Sequence, residues 1–208
     1  MKHYFFLLTI ITFSNVWSQD QAVKVKLKDL PIQISYYGDN GFHPGLKLGT
    51  SYRFWSQEKL KAHKLKSVEK KHGNKAKLKE LNYDYNLGFY SHPNNHLGVF
   101  TNLGVSYLRI KARKGRMFGL SFEVGYLRRF NKFKTYELNG DGMIVQKKLA
   151  GNNALMLSIA PVFGKQFKIS DQQVRVYTKP IIQLVSYNHS MVPNASLEIG
   201  ITFNINRK

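Results

Sequence analysis

The chain of 208 residues contains no cysteine. That excludes a disulfide framework, a thiolate metal site and a lipidated cysteine at a mature N-terminus. Acid is scarce as well: 12 Asp and Glu stand against 32 Lys and Arg, a formal charge of +20. So basic a balance first suggests nucleic acid. Long apolar runs are also missing, apart from Tyr4 to Phe13. That run is about half of the ~20 residues a spanning helix needs. With Lys2 and His3 before it and Val16 and Ser18 after it, "MKHYFFLLTIITFSNVWS" (1–18) reads as an export signal. An exported chain does not meet nucleic acid, so the basic charge points to anionic lipid, lipopolysaccharide phosphates or acidic polymers.

Helical periodicity is the last absence, and it excludes most α/β folds. Period-two alternation takes its place. In "RMFGLSFEVGYLRRF" (116–130), Phe118, Leu120, Phe122, Val124 and Tyr126 alternate with Gly119, Ser121, Glu123 and Gly125. An extended chain puts those two sets on opposite faces. The same alternation recurs at 45–55, 81–90, 97–107 and 195–205, and more weakly at 31–37, 154–167 and 173–187. These eight segments approach the ~9–11 residues of a tilted membrane-crossing strand.

A soluble sandwich shares the period, so the composition of the second face decides. It mixes Gly49, Gly88, Gly98, Gly104, Gly119, Gly125 and Gly200 with Lys47, Arg53, Asp84, Glu123, Arg129, Lys179 and Glu198. Glycine weakens a strand whose face meets water, but small residues and opposed charges suit the narrow interior of an eight-stranded barrel. Phe54, Phe89, Tyr107, Tyr126 and Phe203 near the ends of the greasy faces match aromatic girdles. The expected fold is an all-β, eight-stranded, antiparallel up-and-down transmembrane barrel. It spans 31–206, preceded by the signal (1–18) and a short leader (19–30). Because unpaired charge is costly in a narrow lumen, the seven charged residues are expected to form one interior network.

The stretches "HPGLKLG" (43–49), "GFYSHPNNH" (88–96) and "EVGYLRRF" (123–130) resemble an uncharacterised outer-membrane β-barrel family of Bacteroidota. More broadly, the pattern is similar to small barrels of the OmpA and OmpX type. The resemblance implies the outer membrane of a Gram-negative cell, membrane lipid as surroundings and handling by the outer-membrane insertion machinery. Many such barrels end on an aromatic residue, whereas here Phe203 stands five residues from the end.

The connection at 56–80 holds nine lysines: Lys59, Lys61, Lys64, Lys66, Lys70, Lys71, Lys75, Lys77 and Lys79. It reads as a solvated segment, with "HGN" (72–74) as the turn of an extended hairpin. The functional alternative is a grip on anionic headgroups. With both termini in the periplasm, strand parity puts this segment and "KARKGR" (111–116) on the periplasmic side. A miscount by one strand would turn them outward, toward lipopolysaccharide. The loop 131–153 is then the main external one, with "NGDG" as its turn.

Chemistry is sparse. His92 and His96 flank a turn and lack a third ligand, so no metal or cofactor is expected. "NHSMVPNASLEIG" (188–200) is similar to the late strand of lipid A deacylase barrels. That resemblance implies Ser190 as nucleophile, His189 as base and Glu198 as orienting acid. Those enzymes separate the His from the Ser, however. Adjacent side chains on a strand diverge, which argues against a triad. The expected role is non-enzymatic, in membrane structure or surface contact.

Overall fold

The computed structural model describes residues 30–59, 77–111, 114–169, 172–187 and 190–204. The export signal (1–18), all but the last residue of the leader (19–30), the lysine segment 60–76 and His189 lie outside the described residues. Ten strands follow in order: β1 (Ile32–Asp39), β2 (His43–Lys59), β3 (Lys77–Ser91), β4 (His96–Lys111), β5 (Arg116–Asn131), β6 (Thr135–Leu138), β7 (Ile144–Lys147), β8 (Gly151–Ile169), β9 (Gln172–Tyr187) and β10 (Ser190–Phe203). Eight of them close into an antiparallel barrel in the order β1-β10-β9-β8-β5-β4-β3-β2, and β6 and β7 form a separate hairpin. The ring closes through Ile32 opposite Phe203, and a bulge between Arg53 and Trp55 bends β2.

Alternation dictates which side chains face where, and the polarity is the reverse of that in a water-soluble protein. On the outside, Leu103 is 64% exposed and Phe118 57%; on the inside, Asn86 and Glu198 are 0% exposed. Placing polar groups inside and large apolar groups outside lowers free energy only where the outside meets hydrocarbon. The structure is thus a barrel built to stand in a bilayer. On β5 the outward run from Phe118 to Tyr126 covers roughly 27 Å along the strand. With a tilt of about 40° it rises ~20 Å, close to the ~25 Å apolar band of such barrels.

Four connections (40–42, 92–95, 132–150 and 188–189) gather at one end, here the far end. The other three (60–76, 112–115 and 170–171) join the start of β1 and the finish of β10 at the terminal end. The count of eight wall strands holds, so the strand ends Lys59 and Lys77 that flank the lysine segment, and Lys111 and Arg116, stand at the same end as the start of β1 and the finish of β10. The expected lysine connection is shorter than 56–80, because β2 runs on to Lys59 and pairs it with Lys77. Within 131–153 the structure turns at "NGDG": β6 and β7 pair and turn at 139–143, where Gly142 adopts a φ of 76°.

Inward glycines make room for rings. A Cβ at Gly98 would overlap the Tyr90 ring, one at Gly88 the Phe100 ring, and one at Gly200 the Tyr177 phenol. Gly98→Ala is therefore expected to displace a buried aromatic at a cost of about 1–3 kcal/mol, the scale of overpacking. Gly140, with open space where its Cβ would stand, is the control. Urea unfolding midpoints in detergent should fall for Gly98→Ala and stay put for Gly140→Ala.

Candidate functional site

Three layers fill the barrel, and the middle one is ionic. Strands β2, β5, β9 and β10 each turn one charged side chain inward at the same level. Lys47 Nζ donates to Glu198 Oε2 at 2.8 Å and to Glu123 Oε2 at 3.1 Å. Lys179 Nζ lies 3.5 Å from Glu123 Oε1. The carboxylates are further satisfied. Glu198 accepts from Tyr177 Oη at 2.7 Å and from Gln33 at 3.3 Å. Glu123 accepts from Asn102 at 3.0 Å and Ser121 at 3.3 Å. Asp84 is buried beside them and lies in the field of Lys179, and its Oδ2 has no hydrogen-bond partner. Buried charge survives when it is paired and its remaining lone pairs are occupied, and Glu123 and Glu198 meet both conditions.

The single network expected from the sequence divides in the structure. Arg53 is not part of the middle layer: its Nη1 pairs with Glu80 at 2.9 Å, nearer the terminal end. Arg175 grips the other oxygen of Glu80 at 2.8 Å. Leu108, which is opposite Glu80, packs there with Ile110, Met117, Val162 and Tyr177 in an apolar cluster. Arg129 also stands apart, with its guanidinium 4.7 Å from the centre of the Tyr187 ring toward the far end. There Tyr37, Tyr90 and Phe100 cluster, with Tyr37 and Phe100 centroids 4.8 Å apart. The far mouth carries stacked histidines: His43 on His92 at 3.8 Å and His92 on His96 at 5.2 Å between ring centroids. Stacked rings aim their nitrogens side by side instead of converging on one point. Among the described residues no group of three or more His, Asp or Glu is placed to hold a metal.

Of the nine lysines, Lys61, Lys64, Lys66, Lys70, Lys71 and Lys75 lie outside the described residues. Lys59, Lys77 and Lys79 belong to wall strands, with Lys77 opposite Lys111 and Lys79 opposite Arg109. Ser190 opens β10 eight positions before Glu198, roughly 27 Å away along the strand. Glu198 is wholly buried and bound to Lys47, Tyr177 and Gln33. It cannot orient a base at Ser190.

Sequence reasoning misses Glu80, Arg175, Tyr177 and Gln33 as interior partners. For Glu80 the signal exists, since it continues the inward set Asn82, Asp84 and Asn86. The neighbouring lysines hide it by breaking the apolar half of the alternation. His43 escapes notice because it meets His92 across two turns distant in sequence. What the interior can do is hold the wall together: the charges of Lys47, Glu123, Lys179 and Glu198 are paired, and aromatic rings pack above and below them.

Comparisons with known proteins complete the description. No family model matches the chain, and no curated protein does. Among solved structures it is similar to the N-terminal β-barrel domain of Pseudomonas aeruginosa OprF (12% identity, 84% of this chain and 97% of that one, TM-score 0.44). It is also similar to the outer membrane enzyme PagL (11%, 84% and 97%, TM-score 0.39). A third is the β domain of the Bordetella autotransporter BrkA (12%, 85% and 70%, TM-score 0.37). These likenesses concern strand arrangement and say nothing of what this chain binds.

Proposed function

We propose that the chain is a non-enzymatic barrel of a Gram-negative outer membrane, with a structural or surface-interaction role carried by its loops. One observation supports this above the rest: an apolar belt wraps a lumen whose central charges are consumed in holding the strands together. Lys47, Glu123, Lys179 and Glu198 are mutually bound. The inward polar atoms left without a hydrogen-bond partner, among them Asp84 Oδ2, Asn102 Oδ1 and the Asn86 amide, are themselves buried. Eight strands with filled interiors leave no aqueous channel.

Membrane fractionation combined with heat-modifiable gel mobility tests location and closure together. The expected result is outer-membrane recovery with faster migration of the unboiled protein. In planar bilayers no steady conductance is expected. Recovery as a compact monomer without detergent would overturn the reading, and steady single-channel currents would overturn its plugged lumen.

A second reading, binding of anionic lipid through the 58–80 lysines, draws support from where those lysines leave the wall. Lys77 and Lys79 follow directly after the outward apolar positions of β3, so the segment departs at the edge of the belt.

A further inference from the structure

We infer that the terminal end carries a half-collar that grips lipid phosphate groups, built from Lys77, Lys79, Arg109, Lys111, Arg116 and Lys165. The inference rests on the reading of the chain as a membrane barrel and sharpens its second form, because it assigns the grip to the folded wall. By the alternation of their strands all six residues lie on the outward face. Toward the terminal end each lies two or four residues beyond an outward apolar position: Lys79 and Lys77 beyond Leu81, Arg109 and Lys111 beyond Tyr107, Arg116 beyond Phe118, and Lys165 beyond Phe163, with exposed Phe167 and Ile169 continuing the outward face of β8. With the belt in hydrocarbon, that places them at headgroup depth.

Their pairing is unfavourable without a counter-ion. Across neighbouring strands Lys77 is opposite Lys111, Lys79 opposite Arg109, and Arg116 opposite Lys165. Directly opposed like charges destabilise a sheet. No acid relieves them. Among the described residues the wall acids Asp39, Glu80, Asp84, Glu123 and Glu198 all face inward. Glu58 is opposite Leu78, on the inward set, and Glu137 and Asp141 belong to the far-end hairpin and its turn. The same chain that pairs its interior charges closely leaves six outward cations without a carboxylate partner among the described residues.

The collar is one-sided. It covers β3, β4, β5 and β8, with Lys59 of β2 opposite Lys77 at its edge, whereas the rest of this rim presents Ile32, Trp55 and Phe203. The Arg116–Lys165 pair borders a recess of about 970 Å³ at the mouth, lined by Leu78, Ile110 and Phe167 and by the polar side chains of Gln166 and Gln173. Cations beside an apolar wall suit the phosphate of an anionic glycerophospholipid with its glycerol and upper acyl carbons. Lysine and arginine bind such oxygens through charge-assisted hydrogen bonds. An acidic protein segment would have to enter the headgroup layer to reach the same residues.

The full chain, reconstituted in phosphatidylcholine nanodiscs with a small share of labelled phosphatidylglycerol, provides the test. Fluorescence transfer to the label from Trp55, which pairs with Leu81 beside the collar, reports lipid enrichment at the wall. The expected wild-type result is several-fold enrichment of phosphatidylglycerol, abolished at about 1 M salt, where the screening length falls to about 3 Å. A Lys111→Gln, Arg116→Gln, Lys165→Gln variant should fall to near-random mixing while its heat-modifiable mobility is unchanged. Deletion of 60–76 should leave most of the enrichment in place. Random mixing around the wild type, unchanged enrichment in the triple variant, or complete loss on deletion of 60–76 would each overturn the collar. A preference for lipid A without one for phosphatidylglycerol would overturn it too. Failure to enter nanodiscs at all would instead overturn the membrane reading, so the two failures are distinguishable.

Discussion

Lys47→Met is expected to cost the barrel about 3–5 kcal/mol, the scale for breaking a buried ion pair by removing one partner. The ammonium of Lys47 bridges Glu198 and Glu123, and all three side chains are buried. Without it Glu198 keeps only neutral donors, Tyr177 and Gln33, within hydrogen-bonding distance. Glu123 keeps Lys179 at 3.5 Å. A net negative pair then faces itself in a lumen with little water. Replacing the whole pair is a different matter, since isosteric neutral partners avoid stranded charge. Lys47→Met with Glu198→Gln should therefore recover most of the loss. Arg53→Gln provides a contrast: Arg53 is half exposed and Glu80 still holds Arg175, so the cost should stay within about 1 kcal/mol. Urea unfolding of the reconstituted barrel measures all three. If Lys47→Met costs no more than Arg53→Gln, the central cluster is not what holds the strands.

How much of this is legible in the sequence depends on whether a feature is local or shared between strands. Which residues face in and which face out is a local property of period two, so the alternation alone assigns Lys47, Asp84, Glu123, Lys179 and Glu198 to the lumen. Which of them meet is not local. It depends on the stagger between strands, fixed by pairings such as Ser35 with both Lys47 and Gly200. Arg53 and Arg129 share the inward composition of that cluster, yet each stands about 20 Å further along the strand from a cluster member, Arg53 from Lys47 on β2 and Arg129 from Glu123 on β5. Strand ends are the other blind spot. Charge outside the belt breaks the apolar half of the alternation without breaking the strand. As a result β2 runs past Ser56, β3 starts before Glu80, and an interior acid reads as part of a loop. The histidine stack at the far mouth needs two turns placed side by side, and nothing in "GDNGFHP" or "SHPNNH" alone reports that.

Leu103→Arg separates hydrocarbon from water as the surroundings of the wall. Leu103 faces outward at the middle of the β4 belt, with Tyr85 and Val124 as its cross-strand neighbours. In lipid, an arginine at that depth is expected to destabilise the barrel by about 2–4 kcal/mol. Tyr107→Arg, at the edge of the same belt, should cost only about 0–1 kcal/mol. The measurement is unfolding from lipid vesicles, with insertion yield read by the heat-modifiable band. For a sheet whose outer face met water, the order would reverse: removing an exposed leucine would be neutral and would raise solubility. A second layer of polypeptide over the wall would instead penalise both positions, because neither would lie next to a headgroup layer that an arginine could reach. A depth-dependent penalty arises only when the cost of the charge follows its distance from the nearest water, and of these three surroundings a bilayer alone grades that distance along a strand.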